Sequence, residues 1–420
     1  MAVTQKKRPA AAHLRVNGVA PGTAGPPGVT LVGSCKLPGL AGTSKLYESY
    51  DAYLRPFALL GFAASNQYTV VLESVSDEHR GVGPEQFDAW LGMWDQSIGA
   101  LSAKVELGAA AVTLDAVVID GGEAVEAIPR WAAETGAFDW LFAGREPEET
   151  GRIPLRLRAR IALTFSAPGG RARGRGNAEE MATEIGRRLP GLSAGLQLTE
   201  NGPARPLNAE ELAEAVRVAY DPSIAGLLAQ ARREGGSGIR WEQAGPVDSS
   251  SEWDHYRHDG AYSVTWAMSR VSGGDFFPSV LSRWLIPDEE IIEKRATLLY
   301  GPPAPEPAPE PDDDGGAGRG LRRVRRPATG PNPWLSDEPR ITRYGILATA
   351  TVGSLESLPA TRYVVDELGP RERVLLRRVY GSQASAFVAA LPLGVVAPDR
   401  LTLPQVNRPA TAKRRRRGGS

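Results

Sequence analysis

The residues with the widest chemical range in this chain lie together at Trp253-Asp254-His255-Tyr256-Arg257-His258-Asp259-Gly260, a stretch holding two of its four histidines. Two imidazoles beside two carboxylates invite a metal reading, because zinc takes nitrogen and carboxylate ligands. Zinc also needs three or four ligands converging from a shell, and a short segment leading into a strand does not wrap an ion unaided. The expectation is a hydrogen-bonded turn, with no metal and no other cofactor. Ser249-Ser250-Ser251 lies near His255, as a nucleophile lies near its base, but no GxSxG elbow frames it. Phosphate cradling of the ATPase type needs a GxxxxGK[ST] loop, whose backbone amides and lysine hold the phosphates. Gly42-Thr43-Ser44-Lys45 has the wrong order, and the Gly169–Gly176 loop carries arginines but no lysine. The chain is therefore expected not to be an enzyme.

Two basic runs could hold phosphates. One is Arg319 with Arg322, Arg323, Arg325 and Arg326; the other is Lys413 with Arg414, Arg415, Arg416 and Arg417. Polybasic segments suit DNA and anionic membrane surfaces alike, and a solvated tail is the third reading. No aromatic residues are interleaved for base stacking. Over the whole chain 49 Lys and Arg balance 49 Asp and Glu, so no global field draws in nucleic acid or lipid. Cys35 is alone, which excludes an internal disulfide and a cysteine-based zinc site and fits a reducing cytosol. The best uncharged candidate for a spanning helix, Val379–Pro398, is broken by Gly381, Ser382, Gln383, Ser385 and Pro392, and reads as a short buried helix plus a turn. No apolar core follows Lys6-Lys7-Arg8. The expectation is a cytoplasmic protein, peripheral at most to the inner face of the cell membrane.

The elements that must position these residues follow from periodicity. Tyr68–Val75 and Leu107–Ile119 are rich in β-branched and apolar residues, as strands are. Phe87, Trp90, Leu91, Trp94, Ile98 and Leu101 recur on one helical face after Gly83-Pro84-Glu85. Ile153–Phe165 alternates apolar residues with Arg156, Arg158 and Arg160, the signature of a strand with one solvated face. Ala178–Leu189 reads as a helix and Leu192–Leu198 as a fourth strand. With a short helix at 122–135 set aside as an insertion between the second and third strands, the order is strand, helix, strand, strand, helix, strand, the split βαβ or ferredoxin-like arrangement. A helical spacer follows, opened by the capping box Asn208…Glu211 and broken at Asp221-Pro222.

The same order then repeats through Ala261–Val271, a helix at 276–284, Ile291–Tyr300, Ile341–Val352, Leu355–Leu368 and Arg373–Tyr380, closed by a helix at Ser382–Leu391. The fold class expected is α+β, two tandem ferredoxin-like (βαββαβ) domains with a helical spacer and disordered tails. The boundaries are a tail at 1–29, a first domain with its preceding segment at 30–200, the spacer at 201–252, a second domain at 253–394 and a basic tail at 395–420. A Pro-rich, acidic and then basic insert at 301–339 interrupts the second domain and reads as disordered.

Trp253-Asp254-x-Tyr256-Arg257-x-Asp259-Gly260-Ala261 running into a strand resembles the signature of a family of actinobacterial transfer proteins of conjugative, type IV secretion-like elements. Leu376–Gln383, Phe387–Ala390 and Leu391-Pro392-Leu393-Gly394 are similar to that family's closing strand and helix. The spacer around Leu212–Tyr220-Asp221-Pro222 also fits. The resemblance implies a cytoplasmic α+β region similar to the non-catalytic part of the conjugation ATPase, with a traffic ATPase as docking partner. Members of that family typically begin with a transmembrane pair, and the expectation here is a version without it. Trp253, Tyr256, Arg257, Asp259 and Gly260 are then structural or interaction residues. A type VII secretion accessory, or a DNA-binding relaxosome accessory using the basic runs, are the alternative functions.

Overall fold

The computed structural model describes residues 28–62, 67–75, 84–104, 107–118, 155–166, 175–199, 202–268, 284–285, 288, 290–301, 342–372 and 376–395. The expected helix at 122–135, most of that at 276–284, the insert with Arg319–Arg326 and the tail with Lys413–Arg417 lie outside the described residues. The protein is a mixed α+β structure in which thirteen described strands form one antiparallel sheet. Among the described residues no helix is long and apolar enough to cross a membrane.

In the first half a meander of β1 (Thr30–Cys35), β2 (Ser44–Tyr50) and β3 (Pro56–Phe62) precedes β4 (Gln67–Val75). After β4 come α1 (Pro84–Lys104), β5 (Leu107–Val118), β6 (Leu155–Ser166) and α2 (Arg175–Gly195). A small hairpin, β7 (Gln197–Thr199) with β8 (Gly202–Pro203), leads to β9 (Arg205–Pro206), which pairs with β4. The spatial order is β9-β4-β6-β5. The spacer holds α3 (Ala209–Tyr220) and α4 (Ala225–Arg233). In the second half β10 (Ser249–Ser251) and β11 (Tyr256–His258) lead into β12 (Ala261–Met268), β13 (Glu293–Gly301), β14 (Thr342–Val352), α5 (Leu358–Glu372), β15 (Leu376–Arg378) and α6 (Gln383–Ala389). Its order is β15-β12-β14-β13. The halves meet where β5 pairs with β13, from Arg295↔Asp115 to Tyr300↔Ala110, so one sheet runs through both.

Both faces of the middle of this sheet are covered. On the first face Val70, Leu72, Val112, Leu114, Ile161, Leu163, Leu298 and Ile346 form one core with Trp90, Leu91, Trp94 and Ile98 of α1. On the second face α3 and α6 pack over Val71, Ala111, Ala162, Leu299 and Leu347. The solvated face expected from the β6 arginines is therefore corrected. Arg160 is buried beneath the spacer side, because period-2 alternation separates two faces without saying what covers either. Threonines fill the polar layer and pair across strands: Thr69 with Thr164 at 2.9 Å, Thr265 with Thr349 at 3.0 Å.

Three local features explain how the elements close. Asn208 and Glu211 form the expected capping box, Glu211 N–H donating to Asn208 Oδ1 and Asn208 N–H to Glu211 Oε2. The expected strand at Leu192–Leu198 is mostly helix, since α2 continues through Pro190 to Gly195. Pro190 has no N–H to give the Gly186 carbonyl four residues back. That carbonyl instead accepts Ala52 N–H at 3.1 Å, which fastens α2 to the β2–β3 loop. A Cβ on Gly186 would lie 2.8 Å from the Tyr50 carbonyl oxygen, so this close approach requires glycine.

Candidate functional site

The stretch 253–260 is the first arm and turn of a hairpin. His258 pairs with Ala261, and the connecting Asp259 and Gly260 have φ of 42° and 87°. Two consecutive positive φ values make a type I′ turn, the turn that matches strand twist, and Asp-Gly is a favoured sequence for it. Gly260 thus supplies the permissive dihedral. Asp259 accepts a left-handed backbone, and its carboxylate is held in place. Its Oδ1 accepts the N–H groups of Val247 at 2.8 Å and Asp248 at 2.9 Å, and its Oδ2 accepts Arg217 Nη1 at 2.7 Å. The same Arg217 nitrogen donates to the Gly245 carbonyl at 2.7 Å, and Nη2 donates to Asp221 Oδ2 at 3.2 Å. Arg217 is the residue sequence reasoning missed. Its signal was the Arg217…Asp221 spacing at the end of α3, an i,i+4 pair. Arg257 plays a lesser part, donating to Asp248 Oδ2 at 2.7 Å on the exposed rim.

The two histidines separate. His255 Nδ1 lies 2.9 Å from Asp254 Oδ1, and Asp254 Oδ2 also lies 3.4 Å from Arg378 Nη1. His258 is fully buried. Its Nδ1 faces the Tyr220 carbonyl, which can only accept, so Nδ1 carries the proton. Nε2 then accepts the Ser263 hydroxyl at 2.8 Å, and Ser263 Oγ accepts Thr351 Oγ1–H at 2.7 Å. A Ser–His hydrogen bond is the first half of a nucleophile–base pair. Here the hydroxyl and the ring are both fully buried, and the bond ties β11, β12, β14 and the end of α3 together. Ser249–Ser251 serve instead as the outer strand β10 against β11. Among the described residues no group of three or more His, Cys, Asp or Glu is placed to hold a metal ion.

Burial pushes His258 down to about 4, against the pull of its hydrogen bond to Tyr220. The native state therefore refuses a proton that the unfolded chain accepts near its ordinary 6.5. The stability held by neutral His258 is fully present above that value and is lost as pH falls towards about 4, by about 3 kcal/mol. Denaturant unfolding between pH 7 and pH 4 should show this loss. His258→Gln should flatten that part of the profile.

An aromatic cluster surrounds the buried arm. Tyr256 packs against Phe387 at 5.3 Å between ring centroids and against Tyr220 at 6.4 Å, while His258 lies 4.7 Å from Phe387. Tyr256 thereby packs the hairpin against Tyr220 at the end of the spacer helix α3. Burial pushes its phenol up to about 12, and raises that of Tyr220 well above its ordinary value. Trp253 does not bury. It is 70% exposed and stacks at 6.1 Å on Tyr380, itself 54% exposed, and its carbonyl accepts Gly381 N–H at 2.6 Å.

Beside this hairpin an ion ladder crosses the polar face. Arg205 donates to Glu211 and Glu73, Arg160 to Glu73 and Asp115 at 2.9 Å each, and Arg295 to Asp115 at 3.0 Å and to Glu293. Burial works to raise the Glu73 carboxyl, but Arg160, Arg158 and Arg205 outweigh it and hold it below its ordinary range. Asp115 on β5 and Arg295 on β13 carry the ladder across the seam between the halves. A scan of the chain against protein-family models finds no match, and comparison with curated proteins finds no significant relative. The residues of the hairpin are thus placed by geometry alone. The sequence-predicted Tyr256, Asp259 and Gly260 act as a clasp, Trp253 and Arg257 face solvent, and the basic runs lie outside the described residues.

Proposed function

We propose that the chain is a non-catalytic scaffold of two ferredoxin-like units fused edge to edge, which docks a traffic ATPase of a type IV secretion-like apparatus at the cytoplasmic face of the membrane. The observation that carries this reading is the meeting of the two sequence blocks on which the family resemblance rests. Trp253 stacks on Tyr380, Asp254 pairs with Arg378, Gly381 donates to Trp253, and Tyr256 packs on Phe387. Residues more than a hundred positions apart in sequence meet at one place, which gives their shared pattern a physical reason. The strand orders β9-β4-β6-β5 and β15-β12-β14-β13 support the paired ferredoxin-like units, since each places its strands in the order fourth, first, third, second.

The docking surface in this reading is the exposed Trp253–Tyr380 stack with Arg377 and Arg378. Tryptophan, tyrosine and arginine are the residues that carry most binding energy at protein interfaces. Arg378 lies 5.6 Å from the Trp266 ring and 6.0 Å from the Tyr380 ring, which holds its side chain in place before a partner arrives. Affinity-tagged full chain should retain a traffic ATPase of a type IV secretion-like apparatus, and Trp253→Ala should lower that retention by about tenfold or more. Salt-sensitive retention of DNA with no ATPase would contradict the proposal and favour the relaxosome reading.

A further inference from the structure

The loop joining β2 to β3, residues 51–55, ends in two exposed apolar side chains, Tyr53 at 72% and Leu54 at 64%. Leu54 has φ of 61°, a left-handed conformation that costs free energy for any residue bearing a side chain. The loop is nonetheless held firmly. Asp51 Oδ1 accepts Tyr53 N–H and Arg55 N–H at 2.9 Å each, Asp51 Oδ2 accepts Arg55 Nε at 2.8 Å, and Leu54 N–H donates to the Asp51 carbonyl at 2.9 Å. Ala52 N–H reaches the Gly186 carbonyl freed by Pro190, which fixes the loop to α2. A strained leucine kept at the crown of a fastened loop suggests a role for the crown.

The collar around this crown is basic. Arg55 lies 5.5 Å from the Tyr53 ring centroid, and Arg187 and Arg188 follow Gly186 on α2. Their side chains are 48%, 71% and 42% exposed, while Asp51 is buried and Glu184 is shared between Arg187 and Arg188.

We propose that this tip is a contact with an anionic lipid surface, in which Tyr53 and Leu54 enter the headgroup boundary while Arg55, Arg187 and Arg188 meet lipid phosphates. Aromatic and aliphatic side chains favour that boundary, and basic residues beside it gain from the negative surface potential. An exposed loop tip with arginines on both the loop and the neighbouring helix fits a plane of phosphates better than a pocket, which would have to match each guanidinium separately. Two side chains give a reversible contact that acts beside a second signal. The inference deepens the peripheral location proposed above and does not need the ATPase, so the ATPase retention assay can fail while this one succeeds, and the reverse.

The test uses the full chain with Leu54→Cys carrying a polarity-sensitive fluorophore, Cys35 being buried and slow to label. The label should shift to the blue on vesicles of phosphatidylglycerol with phosphatidylcholine, and not on phosphatidylcholine alone. The same label at Val247→Cys, another exposed apolar site, should not shift. Leu54→Gly should lower vesicle partitioning by about tenfold. Its melting temperature should be equal or higher, since glycine relieves the left-handed strain. A label that stays in water on anionic vesicles, or Leu54→Gly partitioning equal to the parent, overturns the proposal. A blue shift produced by a protein and not by vesicles overturns it in favour of a protein pocket.

Discussion

Asp115→Ala should destabilise the protein by about 3–5 kcal/mol, the cost of removing one partner from a buried ion pair. Asp115 accepts Arg160 from β6 and Arg295 from β13, at 2.9 and 3.0 Å, and all three residues are buried. Its loss leaves two buried guanidiniums with one carboxylate fewer between them. Arg187→Ala offers a contrast, because its pair with Glu184 is exposed on α2 and surface pairs contribute about 0–1 kcal/mol. Denaturant titration of the two variants checks the difference. Equal effects would mean that the ladder across the sheet is solvated.

Phe387→Ala should have a comparable effect, about 3–5 kcal/mol, from lost transfer free energy and the cavity left behind. Phe387 on α6 is fully buried, with Tyr220, Tyr256 and His258 within 5.3 Å of its ring centroid and Arg295 at 5.8 Å. It is the residue through which the closing segment, the spacer and the hairpin touch. The segment after it continues across the polar face: Ala390 accepts Thr297 Oγ1–H at 2.8 Å, and a Cβ on Gly394, whose φ is 65°, would lie 2.6 Å from Thr164 Oγ1. Water entering at position 387 should also ease the burial that depresses His258. Proton NMR of that imidazole should show its pKa rising from about 4 towards 6.5 in Phe387→Ala. Phe387→Leu, which keeps most of the volume, should cost about 1.5 kcal/mol or less.

Much of the local structure was legible in the sequence. The spacing from Trp90 to Ile98 marked the buried face of α1, and Asn208 with Glu211 marked the start of α3 to the residue. These signals are local, and each is written within one or two turns of chain. The strand order across the seam was not legible, because nothing in Leu107–Val118 or Glu293–Gly301 alone says that they pair. The burial of Arg160 was hidden for the same reason. Alternation placed it opposite Ile161, but the carboxylates that hold it, Glu73 and Asp115, lie 87 and 45 residues off in sequence. The β1–β2–β3 meander was missed in part because Pro56–Phe62 is buried on both faces and reads as an unbroken apolar run. The hairpin turn could have been read from Asp259-Gly260, the favoured type I′ pair, had the three-residue β11 not been too short to register as a strand. Of the clasp, Tyr256, Asp259 and Gly260 were identified. Arg217 was not, since its local partner Asp221 reads as an ordinary i,i+4 surface pair while Asp259, the carboxylate that draws it into the clasp, lies 42 residues on.

The central claim is that the two halves are one scaffold joined at the β5–β13 seam. Native-state hydrogen exchange on the backbone amides of Val112, Leu114, Ala296 and Leu298 tests it most directly, because these residues lie in the paired registers of the seam. If the claim holds, the four amides exchange only through global unfolding, with a common free energy that falls together in Asp115→Ala. If the β5 amides exchange at one free energy and the β13 amides at another, the halves unfold separately and the single-scaffold account is wrong.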